Sequence, residues 1–166
     1  MNTRLEGDVI DSTGIASNTL KGTIRFNLQE MQLIGFDPII KVGNILFKKK
    51  RFEDIRFGPI ENTLYVANNT VEIPIMHIQS TAIDFFMSGH WGYGTAPTNL
   101  WTAVPLSNFK TRDSVNIPNK IGYAEAGKKI YIEAKTGKKN KVIYKPHLSD
   151  KKYFKEQDSL SKYKIM

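Results

Sequence analysis

The chain has 166 residues, 24 Lys plus Arg against 16 Asp plus Glu, and no cysteine. That length fits one domain with a buried core, and the 40% hydrophobic content excludes a wholly disordered chain. The lack of cysteine excludes disulfide scaffolds, thiolate metal sites and cysteine nucleophiles. The three histidines (His77, His90 and His147) are too far apart in sequence for a local metal motif.

The positive charge is concentrated in the last third of the chain. Residues 107–166 hold 15 of the 24 cations and 6 of the 16 acids. Such a segment can bind a polyanion or can simply form a well-solvated surface. The second interpretation is favoured, because nearly all of these cations are Lys, whereas readers of bases and phosphates favour Arg. Lysines at strand edges also hinder edge-to-edge pairing.

Apolar and polar residues alternate with a period of two along most of the chain, which predicts short, half-buried strands. The apolar positions are Ile24, Phe26 and Leu28; Leu64 and Val66; Val71, Ile73 and Ile75; Ile83, Phe85 and Met87; Leu100, Thr102, Val104 and Leu106; and Ile130, Ile132 and Ala134. Asn68 and Asn69 predict a tight hairpin turn, because Asn tolerates positive φ. The strand at 130–134 is expected to pair with Val142 and Tyr144 across the turn at 136–140. About 8–10 such strands predict an antiparallel meander.

One segment departs from this alternation. Asp37 and Pro38 suit the start of a helix, and the apolar residues that follow have helical spacing, which predicts a short amphipathic helix at 37–48. The predicted fold is therefore mainly β: a curved antiparallel sheet, groove-like or sandwich-like, with one short helix. Residues 1–149 are expected to form a single domain. Residues 150–166 are expected to be a basic polar tail or a frayed helix.

No set of residues indicates a catalytic site. Residues 88–94, rich in Gly and containing His90, can form a ligand loop, but a strand end followed by a turn is the favoured interpretation. His77 lies in an apolar strand, where a half-buried and hydrogen-bonded histidine is commoner than a ligand. Glu53 and Asp54 are adjacent, so in a strand they would point to opposite faces. We therefore expect no enzyme activity, no metal and no cofactor.

The chain carries no apolar run long enough for a membrane helix. Residues 1–20 contain four charged residues and no apolar core of the kind that signal peptides have. Any element that exports or anchors the protein is therefore expected upstream of this sequence.

Lysine pairs alternate with tyrosines in the basic segment, which is the pattern of a stacking platform for single-stranded nucleic acid. The pairs are Lys128-Lys129, Lys138-Lys139 and Lys151-Lys152, and the tyrosines are Tyr131, Tyr144 and Tyr153. A platform needs these rings on a single solvent-facing surface, which the alternation supports only in part. A basic domain that binds nucleic acid or another polyanion is therefore the alternative function, and a plain structural or interaction module is a third.

A longer series of strand motifs resembles a known family. Residues 62–66 and 71–85, with I-P-I-M-H-I-Q-S-T-A-I-D at 73–84, run into Ser88-Gly89-His90 and then into V-P-L-S at 104–107. This succession resembles the C-terminal region of AsmA-like and TamB-like bacterial envelope proteins. Residues 13–19, 51–57 and 126–137 also resemble pieces of that region.

The resemblance implies a non-enzymatic module in the periplasm, belonging to a parent protein anchored in the inner membrane through an upstream segment. Family members extend through the periplasm as a long β-sheet whose apolar concave face is thought to conduct phospholipid acyl chains. The implied role is phospholipid transport between membranes, outer-membrane assembly and envelope integrity. The implied partners are phospholipid acyl chains and outer-membrane or envelope proteins, with no specific nucleic acid.

The alternation nominates the residues that would face acyl chains. An apolar groove gives such chains about 25 cal/mol per Å² of buried surface and needs no specific headgroup contact. Lysines at its rim would attract anionic headgroups. Ordinary core packing is the alternative role for each nominated residue. The lipid-facing candidates are Ile73, Ile75, Ile83, Phe85, Ile130 and Ile132.

Overall fold

The computed structural model describes residues 2–11, 14–16, 18–35, 53–109, 117, 119–148 and 154. These residues form twelve β-strands and two short 3-10 helices, at Leu106–Phe109 and Lys138–Asn140. The strands are β1 (Asn2–Glu6), β2 (Val9–Asp11), β3 (Gly14–Ile15), β4 (Lys21–Leu28), β5 (Gln32–Ile34), β6 (Asp54–Arg56), β7 (Ile60–Ala67), β8 (Thr70–Ile78), β9 (Phe85–Gly92), β10 (Asn99–Pro105), β11 (Lys129–Thr136) and β12 (Val142–His147).

Eight of these strands form one large antiparallel sheet in the order β1-β4-β7-β8-β9-β10-β11-β12. Each strand pairs with the next strand of that sheet along the chain, and the small β2-β3 and β5-β6 hairpins are inserted between consecutive members. The sheet is not closed. The prediction of a mainly β fold with an antiparallel sheet is confirmed.

Two hairpin turns lie where the sequence predicts them. Asn68 and Asn69 adopt φ of 50° and 59° between β7 and β8, which suits the right-handed twist of the flanking strands. Lys139 and Asn140 adopt φ of 60° and 56° between β11 and β12. In the second hairpin Ala134 pairs with Tyr144, as expected from the alternation.

The largest cluster of buried side chains lies on one side of the large sheet, while Ile60, Val66, Ile78 and Val104 are buried on the other. We call this largest cluster the core cluster, and Ile75 and Tyr123 are packed against it. Its members are Phe86, Trp101, Ala103, Ala126, Tyr131 and Phe154. Cross-strand pairing puts Phe86, Ala103 and Tyr131 in one row. Residues 123 and 126, from the connection between β10 and β11, and Phe154 cover this row.

A second, smaller cluster joins the β5-β6 hairpin to the connection between β8 and β9. Ile55 and Ala82 are buried in it, with Leu33, Phe57 and Ile83 packed around them. Backbone hydrogen bonds support the same junction: the amide of Thr81 donates to the Arg56 carbonyl (2.9 Å), and the amide of Gly58 donates to the Gln79 carbonyl (3.0 Å). The hairpin is therefore held by both packing and backbone pairing.

A β-bulge in β8 changes which residues share a face. Ile73 pairs with Gly89 and Met76 pairs with Met87, so three steps along β8 match two steps along β9. Pro74, which has no amide hydrogen, lies within the bulge, and its carbonyl accepts a hydrogen bond from Asn62 Nδ2 at 3.0 Å. The predicted alternation of Val71, Ile73 and Ile75 on one face therefore ends at Ile73.

Two sequence predictions concern residues that are largely not described. The helix predicted at 37–48 lies outside the described residues. The same holds for the tail predicted at 150–166, apart from Phe154, which is fully buried. Among the described residues, no helix has the length and hydropathy needed to cross a bilayer.

Phe154 is expected to be required for stability. It is fully buried, stacks on Tyr123 at a centroid distance of 5.0 Å and lies 5.9 Å from the Tyr131 ring. Phe154→Ala should lower the free energy of unfolding by about 3–5 kcal/mol, measured by urea denaturation. Leu148→Ala, at a residue that is 88% exposed, is the control and should change it by less than about 0.5 kcal/mol. Equal effects of the two substitutions would contradict the assignment of Phe154 to the core.

Gly89 is expected to tolerate no side chain. Its φ is +136°, and a β-carbon there would overlap the backbone carbonyl of Asn99 on β10. Gly89→Ala should therefore cost at least about 2 kcal/mol of unfolding free energy. Gly127→Ala is the matched control, since its φ is +66° but no atom lies within 4 Å of the added carbon. A smaller loss of unfolding free energy in Gly89→Ala than in Gly127→Ala would contradict the close approach of β9 and β10 at this residue.

Candidate functional site

The side of the large sheet opposite the core cluster is apolar, and we call it the apolar face. In the middle of β9, β10 and β11 the core-side residues are buried, whereas the apolar-face residues are half-buried apart from the buried Gly89 and Val104. On β11, for example, Tyr131 and Glu133 are buried, whereas Ile130, Ile132 and Ala134 are half-buried. The two sides of the same strands are therefore packed to different degrees.

Cross-strand register arranges these side chains in rows. One row crosses four strands, with Met76 on β8, Met87 on β9, Thr102 on β10 and Ile132 on β11. The neighbouring row has Ile73, Gly89, Leu100 and Ala134 at the corresponding positions. None of these residues is ionisable. The rows form a continuous surface that offers almost only van der Waals contact.

The apolar face continues across β7 and β4. Ile24 and Phe26 of β4 are half-buried, and they pair with Leu64 and Asn62 of β7. The alternate residues of β4, including Arg25, are exposed and polar. The amide of Asn62 is used within the sheet by its bond to the Pro74 carbonyl. The face thus extends beyond the strands in which sequence analysis sought it.

Four of the six lipid-facing candidates lie on the apolar face. Ile73, Phe85, Ile130 and Ile132 are there, and each is half-buried. Ile75 instead packs against the core cluster, because the bulge turns it to the other side. Ile83 lies before the start of β9 and packs in the second cluster with Ile55 and Ala82.

Sequence analysis did not nominate several residues of the face. Met87 and Leu100 belong to alternating strands that the sequence does identify, so the cross-strand register was the missing information. Met76 would lie on the opposite side in an unbroken alternation, and the bulge in β8 brings it to the apolar face. Ile24 and Phe26 were identified as sharing a face, but that face was not connected with the others.

The polar groups of the sheet serve structural roles. Glu133 is buried on the core side, where Lys135 Nζ lies 3.1 Å from Oε1 and His147 Nε2 lies 3.4 Å from Oε2. The His147 ring lies 5.1 Å from that of Trp101. Within the described ranges, no group of three or more His, Cys, Asp or Glu side chains could hold a metal ion. These contacts secure the β11-β12 edge.

The segment around His90 is part of a strand. Residues 88–92 belong to β9, where Ser88 is buried and its hydroxyl donates to the Ile73 carbonyl at 3.1 Å. His90 pairs with Glu72 on one side and with Asn99 on the other. The strand-end interpretation therefore agrees with this geometry, and Ser88 stabilises the bulge in β8.

The connection between β8 and β9 is held by a buried polar network that sequence analysis did not identify. Asp84 Oδ1 accepts a hydrogen bond from the Ser80 amide at 3.1 Å. The Ser80 hydroxyl accepts the amide of Ile83 at 3.0 Å, and Asn108 Oδ1 accepts the amide of Asp84 at 2.9 Å. Asp84 thus fixes the path of the chain between two strands.

Glu53 and Asp54 are both exposed.

The described tyrosines of the basic segment do not share a surface. Tyr131 is buried in the core cluster, with its hydroxyl 3.1 Å from that of Tyr123. Tyr144 is 72% exposed and pairs with Ala134, which lies on the apolar face. Lys151, Lys152 and Tyr153 lie outside the described residues. The two described rings therefore cannot stack successive bases of one strand.

His77 lacks the hydrogen bond expected from the sequence. Its ring stacks on Phe86 at a centroid distance of 4.3 Å, and its Nδ1 and Nε2 are buried with no hydrogen-bond partner in the described part of the chain. Burial lowers the pKa of His77 below the ordinary 6.5; the negative charge of Asp84 opposes this effect, and Lys120 reinforces it. This packing therefore favours the neutral form of the His77 imidazole.

Comparison with protein families, with curated proteins and with solved structures found no match for this chain. The geometry of the sheet is therefore the basis for any functional assignment.

Acidification is expected to destabilise the fold through His77. Because its pKa is lower in the folded than in the unfolded chain, its contribution is complete above about pH 6.5 and is lost as the pH falls through the folded pKa. His77→Phe should flatten the dependence of unfolding free energy on pH between 7.5 and 5, by no more than about 1.4 kcal/mol per pH unit. An unaltered slope in His77→Phe would refute this role.

Proposed function

We propose that this chain is a non-enzymatic lipid-binding β-module whose apolar face holds phospholipid acyl chains. In this proposal it serves phospholipid transport between membranes and envelope integrity in the periplasm, as the C-terminal part of an AsmA-like protein. The observation that carries it is the apolar face itself, whose rows of uncharged side chains are half-buried while the other side of the same strands is packed.

The physical fit with an acyl chain is good. An acyl chain has no hydrogen-bonding groups, and the backbone groups of an internal strand are paired with its neighbours. Contact therefore removes apolar surface from water on both partners, at about 25 cal/mol per Å². Flexible Met76 and Met87 beside branched Ile73 and Ile132 let the surface adapt to chains that differ in length or unsaturation.

This kind of surface recognises chains and not headgroups. No ionisable group lies in the rows that cross β8 to β11, so none there can bind a phosphate or discriminate among headgroup charges. We accordingly infer that the apolar face does not select among phospholipid classes. Several phospholipid species therefore bind, according to which of them the protein encounters in the membrane.

Lipid retention by purified protein tests the proposal. Protein purified from bacteria without detergent should carry about one phospholipid per chain, measured by extraction and mass spectrometry beside an unrelated basic β-protein. The double variant Met87→Gln/Ile132→Gln should lose most of this lipid, because it sets amides in the centre of the face. Leu106→Gln/Leu148→Gln is the matched control, made at exposed positions outside the rows.

Circular dichroism and thermal unfolding establish that each variant is folded before its lipid is counted. Lipid no greater than that of the unrelated protein would refute acyl-chain binding by this chain. Equal lipid in the two double variants would refute the assignment of the site to the apolar face.

A further inference from the structure

Four connections of the large sheet emerge at the same end of it; the β1-β4 connection, at its margin, carries Asp8 and Asp11, and we call the other three the turn end. They are the β7-β8 turn at 68–69, the β9-β10 connection at 93–98 and the β11-β12 turn at 137–141. The amide of Tyr93 donates to the Asn69 carbonyl at 3.0 Å. Thr98 and Thr136 bond to each other twice, with N···O distances of 2.8 Å and 2.9 Å. These bonds hold the three connections side by side.

The turn end is positively charged. Lys138, Lys139 and Lys141 are all exposed, and the three connections contain no acidic residue. Within the described part of the chain, none of these three ammonium groups forms an ion pair. Lys135, by contrast, is paired with Glu133 at 3.1 Å and so adds little free charge.

Large exposed apolar and aromatic side chains lie at the same end of the sheet as these lysines. Trp91 is 51% exposed and its ring lies 6.2 Å from that of Tyr93. Val142 and Tyr144 are also exposed. Register puts Trp91 opposite Val71 and Tyr144 opposite Ala134, so both rings lie on the apolar-face side. The apolar face therefore ends, at the turn end, in a rim of aromatic rings and lysines.

We propose that the turn end docks on the surface of a bilayer that contains anionic phospholipid. Lysine ammonium groups pair with phosphates, and Trp and Tyr rings prefer the boundary between headgroups and acyl chains. Docking in this orientation brings the end of the apolar face to the acyl-chain region. The inference rests on the proposed acyl-chain site, because it supplies the route by which a chain reaches that face.

A membrane fits these features better than nucleic acid does. Base stacking needs rings in succession along a cationic groove. At the turn end, by contrast, Val142 is an exposed aliphatic side chain in the same region as Trp91 and Tyr144. Aliphatic surface gains free energy in the membrane interface and gains little against a phosphate backbone.

Vesicle binding tests the docking. The full chain is mixed with vesicles of phosphatidylcholine alone, or of phosphatidylcholine with about one third phosphatidylglycerol, and bound protein is measured by flotation. Binding is expected only to the anionic vesicles and should fall as salt rises. Brominated acyl chains should quench the fluorescence of Trp91, and Trp91→Phe should abolish that quenching, because Trp101 is buried.

The lysine variant is Lys138→Gln/Lys139→Asn/Lys141→Gln, with Asn at 139 because that residue has φ of 60°. Each lysine near an anionic surface raises the membrane partition coefficient about fivefold. This variant should therefore bind at least about tenfold more weakly than the wild type. Arg25→Gln/Lys128→Gln/Lys145→Gln is the matched control, since it removes the same charge from exposed positions outside the turn end. It should bind within about twofold of the wild type.

The outcomes separate docking from acyl-chain binding. The lysine variant should keep the lipid that it carries after purification, while Met87→Gln/Ile132→Gln should lose that lipid and still float with anionic vesicles. Equal loss in both lysine-deficient variants would overturn docking by the turn end and leave only nonspecific charge attraction. Tighter binding to a single-stranded oligonucleotide than to anionic vesicles would also overturn it, in favour of a polyanion partner.

Discussion

The packing of aromatic rings on one side of the large sheet determines the rest of the molecule. Phe86 stacks on His77 and meets Tyr123 edge-on, Tyr123 stacks on Phe154, and together with Tyr131 they form one aromatic layer in which Phe86, Tyr131 and Phe154 are buried. Successive residues of a strand point to opposite sides of the sheet. The aromatic layer therefore buries one set of side chains and leaves the alternate set on the other side. On β9, β10 and β11, the side away from this layer is therefore the less buried one.

The molecule also separates its polar from its apolar tasks in space. Most buried polar residues lie in connections and hold the chain there, as Ser80, Asp84 and Asn108 do, while Glu133 on β11 contacts His147 of the β12 edge. The apolar face contains none of these groups in its central rows. A surface of this kind has no preferred hydrogen-bonding orientation, so an elongated ligand can slide along it without breaking specific contacts.

Much of the fold follows from local sequence pattern. Period-two alternation identified the main strands, and asparagine pairs or glycine-containing turns identified the hairpins, because both depend only on neighbouring residues. Ile75 and Ile83 depart from the predicted alternation for non-local reasons. Ile75 lies in a bulge that is seen only in the pairing of β8 with β9. Ile83 lies in a connection held by Asn108, which follows β10 in the chain. Phe154, an aromatic residue in a polar segment, finds its place only in the tertiary structure.

The meander order has a consequence for how the chain folds. From β7 to β10 each strand pairs with its predecessor across a short connection, so this half can assemble as successive hairpins with little loss of loop entropy. The strands β4 and β7 are separated by residues 29–59, the longest stretch between neighbours of the large sheet. Closing that stretch is the costliest step in loop entropy. The N-terminal pair β1-β4 should consequently join last, and in the interval before it does, the edge of β7 is an unpaired template open to other chains.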